Sequence, residues 1–124
     1  MSRIKGWDTA PEKRVRSLLH RLGVRFSLRR RDLPGRPDIV LPGRNVAVFV
    51  HGCFWHRHKG CRNSVLPKTR AEFWLAKLGG NVERDMRNAA ALKELGWKVL
   101  TIWECEAENE AKLSRKLLKW IPTV

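Results

Sequence analysis

Residues 38–61 read DIVLPGRNVAVFVHGCFWHRHKGC, and this stretch decides the fold. Asp38 follows Pro37 and opens a short apolar strand, Ile39-Val40-Leu41, which Pro42-Gly43 turns into Val46-Ala47-Val48-Phe49-Val50. Five apolar residues in succession, without alternation, suit a central strand covered on both faces. The period then disappears: His, Cys, Trp, Gly and Pro follow one another irregularly to residue 70, which predicts a long loop. Loops of that length in compact domains usually carry function.

Upstream, Thr9-Ala10-Pro11-Glu12 has the form of a capping box, with the proline early in the first turn, where a missing N–H costs little. Val15, Leu18, Leu19 and Leu22 recur at helical spacing, and Gly23 stands where a C-terminal cap is wanted. Val24, Phe26 and Leu28 alternate with Arg25, Ser27 and Arg29, which predicts a half-buried strand with a basic outer face. Leu33-Pro34-Gly35-Arg36-Pro37 is the turn that returns the chain to Asp38.

Downstream, Glu72 to Leu78 predicts a short helix broken at Gly79-Gly80, and Asn81 caps a second helix that runs to Leu95 and Gly96. Trp97 to Trp103 is a further strand, and a last helix from about Ala107 to Trp120 buries Leu113, Leu117 and Trp120. The order α-β-β-β-α-β-α predicts an α/β fold, a mixed central sheet flanked by helices. With 124 residues, no repeats and no low-complexity linker, the chain reads as a single domain over residues 1–124.

The net charge is +14, from 26 Lys+Arg against 12 Asp+Glu, which favours a polyanionic partner, nucleic acid ahead of an anionic membrane surface. Hydrophobic residues make up 43% of the chain and six are Trp, which excludes a disordered basic tail. No apolar run approaches the roughly 20 residues of a membrane span, and the N-terminal stretch lacks a signal-peptide core. A soluble, cytoplasmic protein with no membrane partner is expected. The charge is uneven: residues 12–36 hold nine Lys/Arg against Glu12 and Asp32, while Glu104 to Glu110 holds four Glu and no base. Arg25, Arg29, Arg30 and Arg36 are the expected phosphate contacts.

Several side chains could carry chemistry. Asp38, at the start of a strand whose neighbour runs into the His/Cys loop, is placed to hold a hard divalent cation such as Mg²⁺; the alternative is a turn carboxylate capping a nearby N–H. His51 to Cys61 holds two Cys and three His, and Cys105 completes the cysteine count at three. An odd count without an export signal argues against disulfides. Cys53, Cys61 and Cys105 with one His form a Cys₃His set for tetrahedral Zn²⁺, and spacing leaves His56 and His58 equally eligible. The alternative is buried thiols and scattered histidines. Phe54 and Trp55 lie off any periodic face, as wedges between DNA base steps or as core; for Phe73, Trp97 and Trp103 periodicity predicts burial. Glu12 is either the partner of Thr9 or a carboxylate facing the metal's water shell.

Leu33-Pro-Gly-Arg-Pro-Asp38, Val48-Phe-Val-His-Gly-Cys-Phe-Trp-His56, Thr69-Arg-Ala-Glu-Phe-Trp74, Gly80-Asn-Val-Glu-Arg-Asp85, Glu94-Leu-Gly-Trp97 and Trp103-Glu-Cys105 resemble the very-short-patch-repair (Vsr) mismatch endonucleases. The resemblance covers about residues 8–106, and its HGCFWH segment is highly specific. It implies a variant of the PD-(D/E)xK nuclease fold, with an αβββαβ core and a structural zinc. It further implies Mg²⁺-dependent nicking of one DNA strand beside the thymine of a T·G mismatch, the product of deaminated 5-methylcytosine.

By resemblance Asp38 is the Mg²⁺ carboxylate, with Val50 beside it, and His56 is the catalytic histidine. His51 lies close to the scissile phosphate, and Glu12 is linked to the metal through water. The zinc ligands become Cys53, His58, Cys61 and Cys105, and the wedge becomes Phe54, Trp55 and Trp74. The implied setting is a bacterial, nucleoid-associated monomer whose partners are T·G-mismatched duplex DNA and mismatch-repair proteins. Two departures stand out: Val50 replaces the family's Thr, and few residues precede the first helix, where the family often has a longer basic arm. Two rival readings use the same residues, a restriction-type or general nuclease and a non-catalytic, zinc-stabilised DNA-binding module.

Overall fold

The computed structural model describes residues 9–28, 30–58, 60–61 and 65–120. In order these form α1 (Ala10–Arg21), β1 (Ser27–Leu28), β2 (Ile39–Leu41), β3 (Val46–His51), α2 (Ala71–Glu94), β4 (Lys98–Trp103), α3 (Glu104–Ala107) and α4 (Glu110–Trp120). The sheet order is β1-β2-β3-β4. The first two pairings are antiparallel, and β3 pairs with β4 in parallel. A parallel pair needs a crossover, and α2 supplies it. This is the expected mixed sheet with helices on both faces.

Alternation along the strands separates two apolar clusters. Ile39, Leu41, Val46, Val48, Leu100 and Ile102 meet Val15, Leu18 and Leu19 of α1, Ala107 of α3, and Leu113 and Leu117 of α4. Val40 and Ala47 point to the other face, where Leu33, Leu92 of α2, Phe49, Trp97 and Val99 cover them. Leu19, Ile102 and Leu117 have no exposed surface, and burying such a side chain contributes about 1.5–3 kcal/mol. Among the described residues, no helix is long and apolar enough to cross a membrane.

Four expectations need correction. First, α2 is one 24-residue helix, not two: Gly79-Gly80 does not break it, and Asn81 is not a cap. Each glycine weakens a helix interior by about 1 kcal/mol, which the buried Leu78 and Leu92 anchors offset. Second, β1 is only two residues long, because burial fades from Val24 through Phe26 to Leu28, which is 37% exposed. Third, the last helix is split, since Asn109 Oδ1 accepts the Lys112 N–H at 3.1 Å and starts α4 afresh. Fourth, Phe73 is not core: it is 45% exposed, with the Arg70 guanidinium 4.5 Å above its ring. Trp97, Trp103 and Trp120 are half-buried.

Gly35 has φ 76°, and a Cβ there would lie 2.8 Å from Asn88 Cβ on α2, so the turn before Asp38 sits directly on that helix. Gly79 and Gly80 have nothing within 4 Å of such a Cβ. Urea unfolding is expected to show Gly35→Ala less stable by more than about 1 kcal/mol. Gly79→Ala and Gly80→Ala should each be more stable by up to about 1 kcal/mol. Destabilisation by the last two would mean that α2 is interrupted in solution.

Candidate active site

A cleft of about 1500 Å³ lies between the α2 face of the sheet and α2, and Thr9, Pro11 and Glu12 at the start of α1 also line it. Ile39 pairs with Val48, so Asp38, one residue before β2, falls opposite the end of β3. There its Oδ2 accepts the Val50 N–H at 2.7 Å. Asp38 thus fills the capping role, and the same bond fixes it in the cleft wall beside the Val50 backbone. Thr9 Oγ1 accepts the Glu12 N–H at 3.5 Å, while the Glu12 side chain, 5% exposed, also lies against the cleft.

His51 ends β3 on the cleft side, 9% exposed, with its ring stacked on His56 at 3.8 Å and 7°. Burial, and then the neighbouring His56, bring the His51 pKa down to about 4, so this imidazole is neutral at neutral pH. Its Nδ1 is buried with no hydrogen-bond partner among the described residues. His56 Nδ1 meets Asp85 Oδ2 of α2 at 2.5 Å. A carboxylate on Nδ1 fixes the tautomer and leaves Nε2 as the basic nitrogen. One donor atom each from His51, His56 and Asp85 lies within 4.8 Å of the others.

Behind this group, Cys53, His58, Cys61 and Cys105 bring their donor atoms within 4.8 Å of one another. His58 Nδ1 is 3.6 Å from Cys53 Sγ and 3.5 Å from Cys105 Sγ. Tetrahedral zinc, with bonds of about 2.3 Å to sulfur and about 2.0–2.1 Å to nitrogen, holds such atoms about 3.5 Å apart. The donor set therefore fits a tetrahedral metal ion, and His58 rather than His56 belongs to it. Burial pushes the Cys53 thiol up to about 12 and raises Cys105, so thiolates here need a cation among them. His58 also stacks on Trp103 at 4.2 Å, and Glu104 Oε1 accepts the Cys53 N–H at 3.3 Å.

Phe54, Trp55 and Trp74 form a half-buried aromatic group with ring centroids 5.2–6.0 Å apart. Asn81 Nδ2 donates to the Trp55 carbonyl at 3.0 Å, and Arg84 donates to Asn81 Oδ1. Of the expected phosphate contacts, Arg25 is exposed, Arg36 lines the cleft, and Arg29 lies outside the described residues. Arg30 grips Asp32 through two bonds of 2.8 and 2.7 Å, holding that carboxyl down at about 2.

Sequence reasoning gave no site role to Asp85 or Glu104, and gave Asn81 only a helix cap. Asn81 and Asp85 are four residues apart, the spacing that shares a helix face, and the continuity of α2 through Gly79-Gly80 is what fixes that face relative to Leu78. Glu104 read only as part of an acidic run. No pattern in the sequence marked it as the acceptor for Cys53.

The family model of the DNA mismatch endonuclease Vsr matches residues 1–63. The chain is 50% identical over 117 residues to the type II nicking enzyme V.XorIIP of Xanthomonas oryzae pv. oryzae, covering 94% of this chain and 85% of that protein. It is 48% identical over 119 residues to the DNA mismatch endonuclease Vsr of Escherichia coli, covering 92% of this chain and 76% of that protein. It is 40% identical over 117 residues to the type II nicking enzyme V.NmeAIP of Neisseria meningitidis, covering 94% and 83%. A family match over half the chain and these long alignments agree with the sequence resemblance, and the chain belongs to the Vsr family of DNA mismatch endonucleases.

Proposed function

We propose that this enzyme nicks one strand of duplex DNA beside the thymine of a T·G mismatch, with Mg²⁺, in the repair of deaminated 5-methylcytosine. The observation that carries the reading is the convergence of Asp38, His51 and the His56–Asp85 pair on one cleft, with the aromatic group of Phe54 and Trp55 beside it. His56 Nε2 accepts a proton from the attacking water, and Asp85 keeps the ring oriented and stabilises the imidazolium that forms. His51, neutral and backed by the His56 ring, offers the scissile phosphate a polar contact without adding charge. Asp38 and the Val50 backbone are the groups to hold Mg²⁺, which when bound stabilises charge on the phosphate and the leaving oxygen. A backbone ligand explains why Val50 serves where the family has Thr.

Cys53, His58, Cys61 and Cys105 would hold Zn²⁺ and keep the loop rigid; a closed set of four protein ligands leaves zinc no catalytic position. Phe54, Trp55 and Trp74 act as the wedge, and opening a duplex costs least at a mismatch, so the wedge selects where His56 cuts. The αβββαβ order supports a variant PD-(D/E)xK nuclease core with Asp38 as its acidic member. The fitting setting is a cytoplasmic monomer at the bacterial nucleoid, acting beside mismatch-repair proteins.

A gel assay on nicked circular or fluorescent duplexes tests the reading. Wild type should nick T·G duplex at least about tenfold faster than matched duplex and only with Mg²⁺. Asp38→Ala and His56→Ala should each lose about 10²–10⁴-fold, and Asp85→Asn about 10–100-fold. Equal cleavage of both duplexes would defeat the mismatch claim.

Cys61→Ser should drop bound zinc well below one equivalent by elemental analysis and lower the melting midpoint by roughly 10 °C or more. Unchanged metal content would remove the proposed zinc site.

His51 supplies a pH test. Its pKa is lower folded, about 4, than its ordinary value near 6.5, so the unfolded chain binds more protons between those values. Its contribution is complete above about pH 6.5 and is lost as pH falls toward 4. Wild type should therefore lose more stability than His51→Gln over that interval in parallel thermal melts. Parallel curves would place His51 in a solvated environment.

A further inference from the structure

Arg57 lies between His56 and His58 and lines the same cleft. Its φ is 54°, in the left-handed region that a side chain with a Cβ disfavours. The turn that imposes this is pinned: His56 N–H donates to Gly52 O at 3.1 Å, Arg57 N–H to Phe54 O at 3.3 Å, and His58 N–H to Cys53 O at 2.9 Å. The guanidinium cannot be re-aimed by the backbone without undoing these bonds. Its Nη1 is nevertheless buried with no hydrogen-bond partner among the described residues. A buried guanidinium N–H without an acceptor is unfavourable, and so is the backbone conformation.

Of the other described non-glycine residues in this region, Arg36 (φ 48°) also lines the cleft, and two have local compensation. Asn45 is a type that tolerates this conformation, and Arg70 lays its guanidinium on the Phe73 ring. Of the carboxylates that line the cleft with Arg57, Asp85 is engaged with His56 and Glu104 with the Cys53 N–H.

We propose that Arg57 is a substrate-binding residue whose guanidinium takes a phosphodiester oxygen of the DNA strand in the cleft; this rests on the cleft being a DNA site. The guanidinium fork matches a phosphate as a point charge does not. Adjacent in sequence to His56, it grips the strand being cut.

Fluorescence anisotropy on matched duplex, read between about 50 and 200 mM salt, tests this apart from catalysis. Arg57→Asn removes the cation and keeps a side chain that accepts the backbone. It should raise Kd roughly tenfold and reduce the slope of log Kd against log salt by about 0.9, with zinc content unchanged. Arg57→Lys should restore the slope but only part of the affinity. If Arg57→Asn melts below wild type, Arg57→Gly is read in the same way. An unchanged slope overturns the proposal even if wild type nicks T·G duplex. A lowered slope in a protein that never nicks upholds Arg57 and overturns the nicking reading. No salt-dependent binding by wild type overturns both.

Discussion

The parallel pairing of β3 with β4 governs the rest of the molecule. Its register runs from Val46 opposite Lys98 to His51 opposite Trp103, so both strands end at the same level. Two residues beyond each end stand Cys53 and Cys105, which therefore meet, with His58 Nδ1 within 3.6 Å of both sulfurs. Glu104 adds a second stitch by accepting the Cys53 N–H. A slip of one residue would turn His51 from the α2 face to the α1 face, since strand side chains alternate. The apolar pattern forbids that slip: Val46 and Val48 are almost wholly buried against α1 and α4, and Ala47 against α2. Core packing at one end of the sheet thereby sets the chemistry at the other.

Much of this was legible because it repeats or because its residue types are rare. Helical spacing in Val15-Leu18-Leu19, the apolar run of Val46 to Val50 and the three cysteines each mark their place by local pattern. The choice of His58 over His56 could not be made by spacing, since it depends on which ring the turn at residues 52–58 directs toward Cys105. Asp85 was hidden for a different reason. Glycine propensity argues for a break at Gly79-Gly80, and with a break no phase relation links Asn81 and Asp85 to Leu78. Tertiary burial of Leu78 and Leu92 overrides that propensity, and the override aligns Asp85 with His56.

The aromatic group shows how one scaffold can serve both rigidity and selection. Trp55 is tied through its carbonyl to Asn81, and its ring meets Trp74 on the same helix, so the loop tip is anchored to α2. Half-buried aromatics tethered in this way keep apolar edges toward the cleft side without the rotamer freedom that would make insertion costly. On the proposed reading, selection of a mismatch is then a property of the duplex as much as of the enzyme: the wedge is preformed, and the DNA that yields most easily is the one that fits.

Charge distribution completes this division. Glu12, Asp38, Asp85 and Glu104 all line the cleft, an acidic group within a chain that as a whole carries +14. A phosphodiester approaching these carboxylates is repelled unless cations intervene, and neutral His51 cannot supply that charge. Arg36, Arg57, Lys77 and Arg84 line the same cleft and can flank the strand, whereas Arg30 is neutralised by Asp32. The long-range excess draws DNA toward the molecule and weakens with salt. On the proposed reading, a divalent cation held against Asp38 would add positive charge close to the reacting phosphate, beyond what the flanking basic side chains supply.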